Sequence, residues 1–371
     1  MAKNILITGG AGFIGSHLAD QLLAAGHRVR ALDCLSPQVH PDGERPDYLD
    51  PDVELIKGDV RDANAVTSAL KGIDTVYHFA AMVGVGQSMY QVADYTGVND
   101  LGTAVLLQAL IERPVERLVV ASSMSVYGEG LYRQADGTLV EGQERPRARL
   151  ERAEWELPGS DGGELVPVPT PESKQPVLSS IYALGKYVQE RQCLLIGSAY
   201  GIPTTALRFF NVYGTRQALS NPYTGVLAIF ASRLLNGKRP MIFEDGRQQR
   251  DFVHVKDVAN ACRLVLESPA SANAVLNVGS GRAVSIAELG ERLARIVGKE
   301  HLTPEVTGRY RVGDIRHCFA DIGKARALLG YEPQVTQEEG MAELAEWLSG
   351  QVCVDRVDEA SKELAMRGLT V

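Results

Sequence analysis

Apolar and polar positions follow a strand–helix–strand rhythm through the first half of the chain. Ile5, Leu6 and Ile7 form a short apolar run ending at Thr8, the pattern of a strand buried on both faces. From about residue 13 to 25, Ile14, Leu18, Leu22 and Leu23 recur at helical spacing, and Gly26 stops the helix. Residues 29–32 read as a second strand, closed by Asp33. Further strands are predicted over 53–56, 75–79 and 118–122, with helices over 63–70 and 101–112 between them. A long helix from 180 to 199 and a strand over 204–210 follow. This alternation predicts an α/β fold with a doubly wound parallel sheet of Rossmann type. Beyond residue 210 the pattern is less regular. Helices over 226–236, 255–267, 286–297 and 338–348 mix with short strands and turns, which predicts a smaller mixed α/β lobe. The expected division is 1–210 and 211–371, with about 248–268 packing back on the first lobe. The tail from 355 to 371 reads as a weakly amphipathic surface helix.

One stretch breaks the rhythm. Charges cluster from Glu144 to Glu156, followed by Pro158, Gly159, Gly162, Gly163, Pro167, Pro169, Pro171 and Pro176. Residues 131–176 therefore read as an inserted excursion of loops, with a short helix near 147–155. A functional lid and a mobile decoration are equal expectations, and Trp155 is a candidate anchor.

Composition narrows the partners. The chain has 371 residues and a net charge of −8. That charge argues against nucleic acid or an anionic membrane as the main partner. It leaves room for an anionic small molecule held by local arginines. The five cysteines (Cys34, Cys193, Cys262, Cys318 and Cys353) are scattered without a CxxC pair, so neither a disulfide framework nor a metal site is expected. The start MAKNILI enters the first strand directly, and no apolar run approaches the length of a membrane span. The expectation is a cytoplasmic protein.

Chemistry enters first between the opening strand and helix, as Gly10-x-Gly12-x-x-Gly15. Strand, glycine turn, helix, strand and terminal acid stand at dinucleotide-binding spacing. Gly10 and Gly12 would let the backbone turn tightly and approach a pyrophosphate, and Gly15 would let the helix pack close. The helix N-terminus offers N–H groups and partial positive charge to the phosphates. A carboxylate at Asp33 suits a ribose 2′-hydroxyl and repels a 2′-phosphate, which favours NAD over NADP. Two more motifs follow. Ser122-Ser123-Met124-Ser125-Val126-Tyr127-Gly128 ends a predicted strand, and Tyr182-Ala183-Leu184-Gly185-Lys186 lies on the long helix. Residues four apart share a helix face. A lysine ammonium beside the phenol would lower its pKa and make Tyr182 a usable acid or base.

With these motifs in view, the chain resembles an extended short-chain dehydrogenase/reductase of the nucleotide-sugar epimerase/dehydratase group. TGGAGFIG, HFAA, SSxSVYG, YxxxK, RFFNVYG and RDFVHVxD appear in that group's order, covering residues 3–347 apart from the insertion. The resemblance implies a tightly held NAD, a nucleotide-diphosphate-sugar substrate, a Ser123/Tyr182/Lys186 active site and a homodimer built through cofactor-lobe helices. It implies that Gly9, Gly12, Phe13, Ile14 and Gly15 hold the pyrophosphate side of NAD and Asp33 the adenosine ribose. It assigns Asp59 and Val60 to the adenine, Phe79, Ala80, Ala81 and Asn99 to the cofactor wall, and Lys186, with Tyr182, to the nicotinamide end. On the substrate side it implies Met82, Val83, Ser123, Met124 and Ser125 around the sugar. Asn211, Arg250 and Arg311 would hold the diphosphate, where guanidinium forks suit phosphate oxygens.

The family's 4,6-dehydratases carry Asp-Glu directly after the catalytic hydroxyl residue. Here Met124 and Ser125 stand there, and neither can protonate a leaving hydroxyl. A net redox reaction would need exchangeable cofactor, usually NADP, which Asp33 opposes. The expectation is therefore 4-epimerisation through a 4-keto sugar, with Tyr182 exchanging the 4-hydroxyl proton. An apolar lining at Met82, Val83 and Met124 would suit a 6-deoxy sugar. The insertion resembles that of the family's dTDP-L-rhamnose 4-epimerases, so the dTDP-L-rhamnose/dTDP-6-deoxy-L-talose pair is favoured. A UDP-hexose, UDP-N-acetylhexosamine or UDP-uronate 4-epimerase is the alternative, then a keto-sugar reductase or a non-catalytic NAD sensor.

Overall fold

The computed structural model describes residues 2–160, 162–218, 225–311, 313–351 and 363–370. Its main sheet has seven strands in the order Val275–Val278, Thr204–Phe209, Arg117–Ser123, Thr75–His78, Asn4–Thr8, Arg28–Asp33, Glu54–Lys57. Every neighbouring pair is parallel. The chain works outward from Asn4–Thr8 to one edge, then crosses to build the other side. That switch opens a crevice at the carboxyl ends of Asn4–Thr8 and Thr75–His78, the usual ligand position in such sheets. Helices cover both faces, so the inner strands are buried almost throughout, as is every residue of Arg117–Ser123.

The predicted elements appear, with ends shifted by a residue or so. Helix Phe13–Ala24 begins at Gly12 and hands over to Gly26, whose φ of 81° only glycine adopts easily. Helix Val255–Glu267 packs against Phe13–Ala24. The sheet also recruits Val275–Val278, from the less regular part of the chain beyond residue 210. The smaller sheets pair Asn211–Tyr213 with Phe252–His254, Met241–Ile242 with Glu305–Val306, and Gln249–Arg250 with both Val284–Ser285 and His317–Cys318. Phe230, Leu289, Leu293, Met341 and Leu344 fill a separate core beside them.

The insertion departs from expectation. It holds the short helix Arg147–Leu150, but also a three-stranded antiparallel sheet of Leu131–Arg133, Leu139–Glu141 and Val166–Val168. Strands of three residues leave no alternation long enough to read, and Pro167 sits in one of them, on an edge strand where proline is tolerated. Trp155 packs against Tyr310, ring centroids 6.3 Å apart. Of the predicted tail helix, residues 355–362 and 371 lie outside the described residues, as does Cys353. Thr370 bridges to Arg311. Among the described residues no helix is long and apolar enough to cross a membrane.

Candidate active site

The glycine turn is shaped by its neighbours. The tight bend falls at Gly9, with φ of 72°, rather than at Gly10. A Cβ at Gly9 would stand 2.9 Å from the Ala80 backbone nitrogen, and one at Gly10 would stand 2.6 Å from the Ala31 Cβ. Gly15 is as crowded: its Cβ would lie 2.4 Å from the Gly9 carbonyl oxygen. Gly12 differs, since only the Gly9 oxygen, at 3.3 Å, comes within 4 Å of its Cβ. The open space thus lies at the N-terminus of helix Phe13–Ala24, where no side chain caps the first N–H groups. That is the cradle an anionic pyrophosphate fits.

Asp33 lies beside it. Its Oδ2 accepts from the Ala11 N–H at 3.1 Å and its Oδ1 from the Leu35 N–H at 2.9 Å. Each carboxylate oxygen keeps a lone pair for a ribose hydroxyl. Phe79, Ala80 and Ala81 form the facing wall. The Phe79 N–H donates to the Thr8 carbonyl, the Ala80 N–H to Thr8 Oγ1, and the Phe79 ring packs edge-on against Phe209. Val60 is buried under Gly102. Asp59 is more committed than its sequence role suggested: Arg61 grips its carboxylate, with Nη2 at 2.7 Å from Oδ2. Those hydrogen bonds hold the Asp59 carboxyl below its usual range. Arg61 was not among the expected site residues.

Asn99 sits in a stretch of π-helix over Thr96–Leu101, an irregularity common at functional sites. Its side chain clamps the backbone of Met82, accepting from the N–H at 2.8 Å and donating to the carbonyl at 3.2 Å. This fixes the strand-end loop that carries Met82 and the exposed Val83.

Tyr182 and Lys186 stand one turn apart near the start of helix Ile181–Tyr200. Ser180 caps that helix by accepting from the Ala183 N–H, and the Ser88 hydroxyl accepts from the N–H of Tyr182 at 3.0 Å. The Ser123 hydroxyl lies close enough to the Tyr182 phenol to act on it. Ser125 in turn donates its backbone N–H and its hydroxyl to Ser123 Oγ, at 3.1 and 2.9 Å. Met124 is buried in the same core as Tyr127 and Phe209.

The expected lowering of the tyrosine by the lysine is not what this geometry produces. Lys186 donates to Gln189 Oε1 at 2.8 Å. Burial therefore dominates at Tyr182 and raises its phenol above the ordinary value, partly offset by Ser123. Burial also pulls the Lys186 ammonium down to about 8. Gln189 continues inward, its amide nitrogen reaching Thr103 Oγ1 at 3.0 Å and His78 Nε2 at 3.3 Å. His78 Nδ1 meets Thr8 Oγ1 at 2.8 Å. A buried polar chain thus links Lys186 to the end of the first strand. The sequence reading missed Gln189, although its place three residues past Lys186 on the same helix face was visible.

His78 and His17 give the protein an acid limb. Burial lowers His78 from 6.5 to about 3, with a smaller contribution from Lys186. Burial lowers His17 to about 4, helped by Arg216. Both rings stay neutral in the folded state while the unfolded chain takes up protons below about pH 6.5. Stability should then fall as pH falls from about 6.5 to 4, by up to about 1.4 kcal/mol per pH unit for each ring. Melting temperatures between pH 7 and 4 check this: the slope should flatten in His17→Gln, and a flat wild-type profile would contradict it.

In the second lobe, Asn211 opens the strand Asn211–Tyr213 and its backbone N–H donates to the Asp251 carbonyl. Its buried Oδ1 has no partner among the described residues. Arg311 stacks over the Phe243 ring at 4.3 Å, and its buried Nε is likewise unpartnered. Arg250 donates to the carbonyls of Gln249, Ile315 and Arg316. Orphaned polar atoms in a buried setting mark places a polar ligand completes.

The chain matches the NAD dependent epimerase/dehydratase family over residues 5–149 and 160–279. It belongs to that family. It is an enzyme, and NAD is its cofactor, for which the Gly12 cradle and the Asp33 carboxylate are fit. Among similar proteins is a dTDP-L-rhamnose 4-epimerase of Burkholderia thailandensis, 37% identical over 94% of this chain and 96% of that one. A putative UDP-glucose 4-epimerase of Methanocaldococcus jannaschii is 31% identical over 93% of this chain and 98% of its own length. Of the solved structures, a Thermus thermophilus UDP-glucose 4-epimerase in complex with NAD is similar at a TM-score of 0.74 and 31% identity. It covers 94% of this chain and 100% of that chain.

Proposed function

We propose that this family member is a nucleotide-sugar 4-epimerase whose substrate pair is dTDP-L-rhamnose and dTDP-6-deoxy-L-talose. The observation that carries the reaction type is the closeness of the Ser123 hydroxyl to the buried Tyr182 phenol, with Lys186 one turn along and Met124-Ser125 beside it. Tyr182 Oη exchanges the proton of the sugar 4-hydroxyl, and the Ser123 hydroxyl holds the same oxygen. Bound NAD supplies the acceptor and donor of the C4 hydride, and Lys186 holds its nicotinamide ribose. Gly9, Gly12 and Gly15 take the pyrophosphate, Asp33 the ribose, and Asp59 and Val60 the adenine. Asn211, Arg250 and Arg311 tether the diphosphate while the 4-keto sugar turns to present its other face. With no acid at 124 or 125, nothing there protonates a leaving hydroxyl, so elimination does not compete.

The sugar is chosen on two grounds: the 37% identity to the Burkholderia enzyme, and the apolar Met82, Val83 and Met124 around the strand ends. Relatives named for UDP-glucose keep a UDP-hexose as the second reading. A homodimer would form through the helices of the first lobe, where Leu184 and Leu195 on Ile181–Tyr200 and Leu101 nearby stand exposed.

Purified enzyme mixed with dTDP-L-rhamnose and no added cofactor should yield the talo product, followed by NMR. Turnover of UDP-glucose alone would move the assignment to the UDP-hexose reading. Product that appears only with added NADPH would indicate a reductase.

A further inference from the structure

The insertion meets the second lobe through a buried charge cluster that no local reading of the sequence exposes. Arg316 is completely buried. Its Nη1 lies 3.0 Å from Glu244 Oε2 and 2.6 Å from Asp245 Oδ1. Its Nε donates to Glu156, from the insertion, at 3.1 Å, and its Nη2 donates to the same carboxylate oxygen. The other Glu156 oxygen meets His317 Nε2 at 2.9 Å. Arg145, also from the insertion, reaches Glu244 at 2.7 Å and the Asp314 carbonyl at 3.0 Å. Glu129, at the root of the insertion, accepts the backbone N–H groups of Arg316 at 2.7 Å and His317 at 3.1 Å.

Buried ion networks are weak evidence for stability, because desolvation offsets much of the attraction. What this one fixes is the backbone over 314–317. That backbone grips Arg250, whose Nη1 donates to the Arg316 carbonyl at 2.9 Å and whose Nη2 donates to the Ile315 carbonyl. With the bond to Gln249, three of the five guanidinium N–H donors are engaged. Asp314 Oδ1 also stands 3.6 Å from Nη2. The fork is therefore held in one orientation.

We propose that Glu156 is a positioning residue: through Arg316 and the 315–316 carbonyls, the insertion aims Arg250 at the diphosphate of the substrate. The insertion is then a brace for the phosphate clamp rather than a mobile lid. This rests on the reading above that Arg250 holds that diphosphate.

Calorimetric titration of the NAD-loaded enzyme with dTDP and with UDP tests both layers. Wild type should bind at least one; binding of neither would overturn the diphosphate reading itself, and this proposal with it. Where wild type binds, Glu156→Gln should weaken that affinity about 3- to 10-fold. KM for the nucleotide sugar should rise by a similar factor with kcat nearly unchanged, as for an interaction that anchors ground and transition states alike. Glu156→Asp, which keeps the charge with a shorter reach, should recover part of the loss, and it gives the same readout if Glu156→Gln does not fold. In an Arg250→Lys background, Glu156→Gln should cost no further affinity. A lowered melting temperature with unchanged affinity, or losses that multiply independently in the double variant, would overturn the positioning role.

Discussion

Tyr182→Phe is expected to cut turnover about 100- to 10,000-fold, the range for a positioned proton-transfer group, while the purified protein keeps its NAD. The change removes one oxygen and leaves the ring. The helix start it sits on is secured elsewhere, by Ser180 on the Ala183 N–H and by Ser88 on the Tyr182 N–H. What disappears is the hydroxyl on which Ser123 acts, the group proposed to exchange a proton with the sugar 4-hydroxyl. Burial raises the Tyr182 phenol in this geometry, and Ser123 offsets part of that rise. Cofactor content measured on denatured protein, with turnover followed by NMR, separates binding from chemistry. Near-normal turnover would remove Tyr182 from the proton-transfer role.

Substitutions at Gly12 and Gly15 should fail in different ways, and the difference locates the cofactor. At Gly15 a methyl would press on the Gly9 carbonyl and the Gly10 backbone, at 2.4 and 2.8 Å, and rigid backbone cannot step aside. Gly15→Ala should therefore destabilise the fold by about 1–3 kcal/mol, as overpacking does, and lose NAD as well. At Gly12 a methyl meets only the Gly9 oxygen at 3.3 Å. Gly12→Ala should keep its melting temperature. It should still lose NAD affinity, about 10-fold or more for a clash costing 1.4 kcal/mol, because the methyl enters the space in front of the uncapped helix N-terminus. Wild-type NAD content in Gly12→Ala would mean that the pyrophosphate does not approach there.

The first lobe was legible because its signals are local. Ile5–Ile7, the glycine turn and Asp33 lie in one unit of chain, and Tyr182 and Lys186 lie on one helix face. What escaped depends on partners far apart in sequence. Val275–Val278 is four residues long with a polar Asn277 inside it, and nothing nearby says that it returns to the main sheet. The charges between Glu144 and Glu156 read only as part of an excursion of loops. Arg145 and Glu156 are instead paired with Glu244 and Arg316, 99 and 160 residues away. Sequence gave the lysine beside the tyrosine by spacing alone, but not the direction of its ammonium, which Gln189 sets. The bend at Gly9 instead of Gly10 is likewise a matter of contact, since Ala31 crowds Gly10 from the neighbouring strand.

The central claim is that hydride leaves and returns to one sugar carbon through NAD that the enzyme already holds. Its most direct test uses dTDP-L-rhamnose deuterated at C4, with purified enzyme and no added cofactor. The account predicts a talo-configured product that retains deuterium at C4. Epimerised product carrying solvent hydrogen at C4, or a purified protein that neither contains nor acquires a pyridine nucleotide, would contradict it.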